Sequence, residues 1–178
     1  MKKYRVTYSR TDSTAINSSI VTASSASQAR EKIKEMAESI DMCMMSTDIN
    51  KKPFHSVVMS TKQVDDEGKI WFLSGKDSEH AKNIEKDGHT YLMYSDPGSF
   101  KFLNVFGKAH LHDERAKIKE LYVKTDDAWF DGPDDPNIVA IHIVPQDVNY
   151  WDPKSNKLVS LAKMVVGAIT GEQQETMN

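Results

Sequence analysis

Strand-like alternation of apolar and polar residues dominates the middle of the chain, with helical spacing at its ends. Residues 3–9, KYRVTYS, alternate through Tyr4, Val6 and Tyr8, and SSIVTAS repeats that rhythm after a turn rich in Ser, Thr, Asp and Asn, which predicts a hairpin. SASQAREKIKEMAESI then places Ala29, Ile33, Met36, Ala37 and Ile40 on one helical face, with Ser25 or Ser27 as the N-cap. Six strands are expected next: MCMMST, FHSVVMST, KIWFLSG, HTYLMYSD, FLNVFGKAHLHD and NIVAIHIVP. They are divided by DINKKP, DDEG, a short helix over 77–87, DPGS and a longer helix over about 113–128. Leu158, Leu161, Ala162 and Val165 predict a last amphipathic helix ending near Gly171, before a polar tail expected to fray.

Short strands at close spacing with few helices between them point to an antiparallel barrel of the α+β class rather than a doubly wound parallel sheet. The division expected is a β-hairpin extension over 1–25, a barrel domain over 26–172 and a tail over 173–178. Several strands, among them VVM, IWFL, YLMY and NVF, are apolar on both faces, whereas a small barrel has one interior. The second faces therefore predict a homodimer built on barrel strands.

Composition narrows the classes. A net charge of −3, from 23 basic and 26 acidic residues, gives no broad basic surface, which argues against a nucleic-acid partner. Cys43 is the only cysteine, so a disulfide framework is excluded and a reducing, cytoplasmic setting is expected. No apolar run approaches bilayer length, so no membrane partner is expected.

Candidate chemistry is sparse. SGKDSEHAKNI (74–84) follows a strand and opens a helix, so its backbone N–H groups and Ser78 could cradle an anion, with Lys76, His80 and Lys82 nearby; equally, Asp77 or Ser78 could cap a surface helix. His110 and His112 share a strand face and could share a metal, but no third ligand with suitable spacing is evident beside Asp113 and His142, and the expectation is a solvated strand face without metal. Cys43 reads as a buried structural thiol. WFDGPDDP (129–136) is a stiff corner, because Pro133 and Pro136 fix their own φ angles and Gly132 adopts shapes closed to other residues. Such a corner either stops a helix or holds Trp129 and Phe130 against something flat.

In order and spacing, MMSTDINKKPFHSVVM, DDEGKIWFLSGKDSEHAKNI, NVFGKAHLHDE, WFDGPDDPNIVAIHIVPQDVNYWD and KLVSLAKMVVGAITGE resemble the general stress protein branch of the pyridoxamine 5′-phosphate oxidase-like flavoproteins, over about residues 27–172. The resemblance implies a split β-barrel, a homodimer and FMN in clefts between subunits. It sets Trp129 and Phe130 at the cleft rim, leaves Tyr150 and Trp151 either to the same wall or to the core, and places Val57, Val58, Met59, Leu73, Ser74, Lys76, Ser78, His80 and Lys82 around the flavin. Within it, the family's His-Ser-Arg-Pro-Met strand reads His55, Ser56, Val57, Val58, Met59, so a valine stands where an arginine meets the phosphate. His80 stands where a lysine is common, beside Glu79. Two lost charged contacts at roughly 1.5 to 3 kcal/mol each weaken FMN by about 10² to 10⁴-fold, unless Lys62, Lys76 or Lys82 compensates.

Two functions are therefore expected from the resemblance. One is an FMN-dependent oxidoreductase with no residue assigned as general acid or base; an authentic pyridoxamine phosphate oxidase is not expected, since the chain ends GEQQETMN instead of in a basic segment. The other is a non-enzymatic dimeric stress-response or binding protein that has lost tight FMN binding, or takes another small planar ligand such as haem or a deazaflavin.

Overall fold

The computed structural model describes residues 5–7 and 23–151. In chain order the elements are β1 (Arg5–Thr7), α1 (Ala23–Ile40), β2 (Met42–Thr47), β3 (His55–Ser60), β4 (Gln63–Val64), β5 (Ile70–Gly75), α2 (Glu79–Lys86), β6 (His89–Asp96), β7 (Lys101–His112), α3 (Arg115–Leu121), a 3₁₀ turn (Lys124–Ala128) and β8 (Ile138–Trp151). The strands pair antiparallel in the order β3-β2-β6-β7-β8-β5-β4, a curled sheet whose two ends do not meet, which is the expected split barrel.

Strand alternation builds the interior. Cys43 and Met45 of β2, Leu92 and Tyr94 of β6, Leu103 and Val105 of β7, and Ile141 and Ile143 of β8 face one core, with Ile70 and Phe72 of β5. The expected face of α1 joins them through Ile33, Met36 and Ala37. Asp41 then ends that helix in the left-handed region at φ 64°, a conformation that Asp tolerates, with its N–H donating to Ala37 O at 3.0 Å. Cys43 is buried as expected, and burial pushes its thiol pKa up to about 12. Tyr150 also belongs to this core.

A second, smaller core corrects part of the dimer argument. Trp71 and Leu73, on the outer face of β5, are covered by Ile118 and Leu121 of α3 together with Ile138 and Ala140. The doubly apolar IWFL stretch is therefore satisfied within one chain. The outer face of β2, β3 and β6 is different: Met44 lies opposite both Val58 and Met93, and Val58 is 55% exposed, Met44 39% and Met93 38%.

Four expectations change. The helix expected over 113–128 breaks after Leu121, because buried Asp126 accepts from the Val123 N–H at 2.9 Å and turns the backbone into a separate 3₁₀ turn; the same carboxylate takes the half-buried Lys62 ammonium. The strand expected to stop at Pro145 continues to Trp151, since the β7–β8 register shifts between Phe106 and Gly107 and the proline sits at that bulge. The two-residue strand β4 is additional to those expected. At the N-terminus β1 pairs with β8 through Arg5↔Asn149, Val6↔Val148 and Thr7↔Asp147, while α1 begins at Ala23, inside the expected second hairpin arm. The rest of that arm, the C-terminal helix and the tail lie outside the described residues.

Candidate functional site

The β5–α2 junction gathers polar groups suited to an anion. Buried Ser74 stands at the end of β5, and Ser78 caps α2, accepting from the Ala81 N–H at 3.2 Å. His80, in the first turn, folds back between them: its Nε2 lies 2.6 Å from Ser74 Oγ and 3.3 Å from Ser78 Oγ, and the two hydroxyls are 3.1 Å apart. First-turn N–H groups of a helix have no intrahelical acceptor, and the helix dipole adds partial positive charge there.

His80 is the titratable centre of this cluster. Burial, and then the neighbouring His55, hold its pKa below the ordinary 6.5, against a smaller opposing effect of Glu79. At neutral pH it is therefore mostly uncharged, unlike a lysine at the same place. His55, at the start of β3, lies nearly parallel to His80 with centroids 6.3 Å apart, and its Nδ1 is 3.5 Å from Glu79 Oε2. The contact crosses 25 positions of sequence, and no local pattern foretells it.

The aromatic corner adjoins this junction. Asn137 O accepts from the Lys76 N–H at 2.7 Å and Asn137 Nδ2 donates to Asp77 Oδ1 at 3.0 Å. Asp135 stiffens the corner by accepting from the N–H groups of Asn137 at 2.8 Å and Asp131 at 3.1 Å, which lowers its pKa. Arg115 donates to Asp135 O at 2.7 Å and Ile138 O at 3.0 Å, and Gly132 sits at φ 92°. Trp129 is the C-cap of the 3₁₀ turn and is 82% exposed; Phe130 packs on the second core. Both therefore also serve as the stop of that turn.

Of the other residues assigned by resemblance, Val57 packs against the main core and Met59 is buried in it. Leu73 lies in the second core, and Val58 points outward. Lys76 and Lys82 are exposed on either side of Ser78. Lys62 is engaged by Asp126. The junction thus combines Ser74, Ser78 and His80 from the expected set with His55 and Glu79.

His110 and His112 do not form a wholly solvated face. The neighbouring strand brings buried His142 against them, with His112 Nε2 and His142 Nδ1 2.7 Å apart. Burial and the two other imidazoles lower the His142 pKa to about 4. Among the described residues no helix is long and apolar enough to cross a membrane.

The chain and its fold have relatives. General stress protein 26 of Bacillus subtilis is 27% identical over 95 residues, covering 52% of this chain and 68% of that protein. The crystal structure of General Stress Protein 26 from Bacillus anthracis superimposes with a TM-score of 0.63 at 22% identity, covering 71% of this chain and 96% of that one. That of the general stress FMN/FAD binding protein from Xanthomonas citri gives 0.61 at 22% identity, covering 72% and 92%. The family model described as pyridoxamine 5′-phosphate oxidase like matches residues 28–175. With the split barrel and this match over most of its length, the chain belongs to the pyridoxamine 5′-phosphate oxidase-like family and is similar, within it, to the general stress proteins.

Proposed function

We propose that this protein binds a flavin, FMN in preference to the unphosphorylated form, and works as a flavin-dependent oxidoreductase in a homodimer. The observation that carries the reading is the cluster of Ser74, Ser78 and His80 at the start of α2, stitched through Asn137 to the corner bearing Trp129 and Phe130. Two hydroxyls and a helix N-terminus fit a phosphate ester. The exposed Trp129 supplies a flat apolar surface on the adjoining corner. The similarity to a protein described as FMN/FAD binding supports the same ligand class.

When bound, the flavin supplies the electron-accepting ring, and the chain supplies binding and orientation. Ser74 and Ser78 donate to the phosphate, Lys76 and Lys82 add positive potential from solvent, and His80 becomes a cation when an anion arrives beside it. The exposed apolar face of Met44, Val58 and Met93 supports the homodimer, since a second copy would cover it. One observation favours the non-enzymatic reading: Val57 packs on the core where the family places an arginine, so the phosphate lacks its strongest partner.

Titration of flavin-free protein with FMN, followed by flavin fluorescence, tests the proposal. Saturable uptake is expected, with Ser78→Ala weakening it by about 10- to 100-fold, the equivalent of one hydrogen bond to a charged group. Protein that is colourless as purified and takes up no added FMN would overturn it.

A further inference from the structure

Outside the α2 junction, three imidazoles meet on the outer face of the sheet, and the proposed flavin chemistry uses none of them. β7 and β8 pair with His110 directly opposite His142, and His112, two residues along, reaches the same side chain diagonally. His112 Nε2 and His142 Nδ1 are 2.7 Å apart, and the ring centroids of His110 and His142 are 5.1 Å apart. Trp71, opposite His142 on β5, packs against His142 at 4.9 Å and His112 at 5.5 Å between centroids. Its own Nε1 donates to Asp65 Oδ2 at 2.9 Å. Two of the three rings are thus held by a wall that is itself held.

A pair of imidazoles at hydrogen-bond distance shares one proton, and a divalent ion can take that proton's place with both nitrogens as donors. Tetrahedral coordination with metal–nitrogen bonds of about 2.0 to 2.1 Å sets the nitrogens about 3.3 Å apart, so the pair opens by roughly 0.6 Å. The third donor is close. His110 is exposed and lines an open groove of about 440 Å³ that also touches Asp87 and His89. The nitrogens have not converged in the structure, since among the described residues no three His, Cys, Asp or Glu side chains are set to hold a metal ion.

We propose that His110, His112 and His142 form a site for a borderline-soft divalent transition metal, of the Zn²⁺, Ni²⁺ or Cu²⁺ class, which closes when His110 turns toward the other two. Imidazole donors select that class over Mg²⁺ or Ca²⁺. Lys117 lies 4.6 Å above the Trp71 ring and opposes any cation, so coordination rather than field holds the ion. Three protein ligands leave a fourth position for water or a small ligand.

Untagged full-length protein, free of flavin, is titrated with Co²⁺ while its visible absorbance is followed, and then back-titrated with Zn²⁺. One ion per chain is expected. His112→Gln and His142→Gln should each weaken uptake by at least the roughly 10- to 100-fold that loss of even a supporting partner costs a metal site, while His55→Gln leaves it unchanged. Should His142→Gln fail to fold, the half-buried His112 carries the test, with circular dichroism confirming its fold. Absence of both Co²⁺ bands and Zn²⁺ uptake overturns the proposal, as does uptake that His112→Gln leaves unchanged.

Discussion

At the scale of single residues, His80 decides how the α2 junction behaves toward an anion. Its pKa in the ligand-free site lies below 6.5, and a phosphate dianion against it raises that value. Binding therefore takes up a proton, and FMN affinity should fall as pH rises through neutrality. His80→Lys, whose ammonium stays charged, should tighten binding and flatten its dependence between about pH 6 and 8; Val57→Arg should tighten it further if β3 places that side chain toward the phosphate as the resemblance implies. Isothermal titration at several pH values measures both. Unchanged affinity and pH profile in the two variants would place the phosphate elsewhere. Ser74, Ser78 and His80 were legible because a strand, a glycine and a cap sit consecutively in sequence. His55 was not, since its contact depends on how β3 curls toward α2. Met59 and Leu73 carried a site assignment by resemblance alone, and strand alternation turns both into cores.

At the scale of elements, the sequence showed six principal strands by their period-two apolar pattern, and α1 by its face. It misplaced the ends of elements where a side chain or a neighbouring strand overrode the local signal. Asp126 split a helix that its periodicity would have continued, because its carboxylate serves both the Val123 N–H and Lys62. Pro145 looked like a strand end, yet the bulge opposite Gly107 absorbs its missing donor. That crossing is tight: a Cβ on Gly107 would run into Val144 O and lie 2.8 Å from Ile143 Cγ2. Gly107→Ala should therefore destabilise the barrel by about 1 to 3 kcal/mol, read as a lower urea midpoint. Gly98→Ala, whose Cβ would meet only Asp96 Oδ1 at 3.4 Å, should shift it little. Equal midpoints for the two variants would contradict the close approach at the bulge.

At the scale of the whole molecule, the two apolar outer faces have different fates. α3 covers the face of β5 within the chain, whereas the face of β2, β3 and β6 is exposed in the single chain, and the proposed homodimer would cover it. Light scattering at micromolar concentration should give twice the 20.1 kDa chain mass, and Val58→Glu should halve it with the fold retained; a monomeric parent protein would contradict the homodimer. The central claim, a flavin held by its phosphate at the start of α2, is tested most directly by titrating the same flavin-free preparation with FMN and with riboflavin, which differ only in that phosphate. FMN should bind at least about tenfold more tightly, the gap corresponding to one charged hydrogen bond or more, and Ser74→Ala with Ser78→Ala should close most of it. Equal affinity for the two flavins, or a preference for FMN that survives loss of both hydroxyls, would contradict the account.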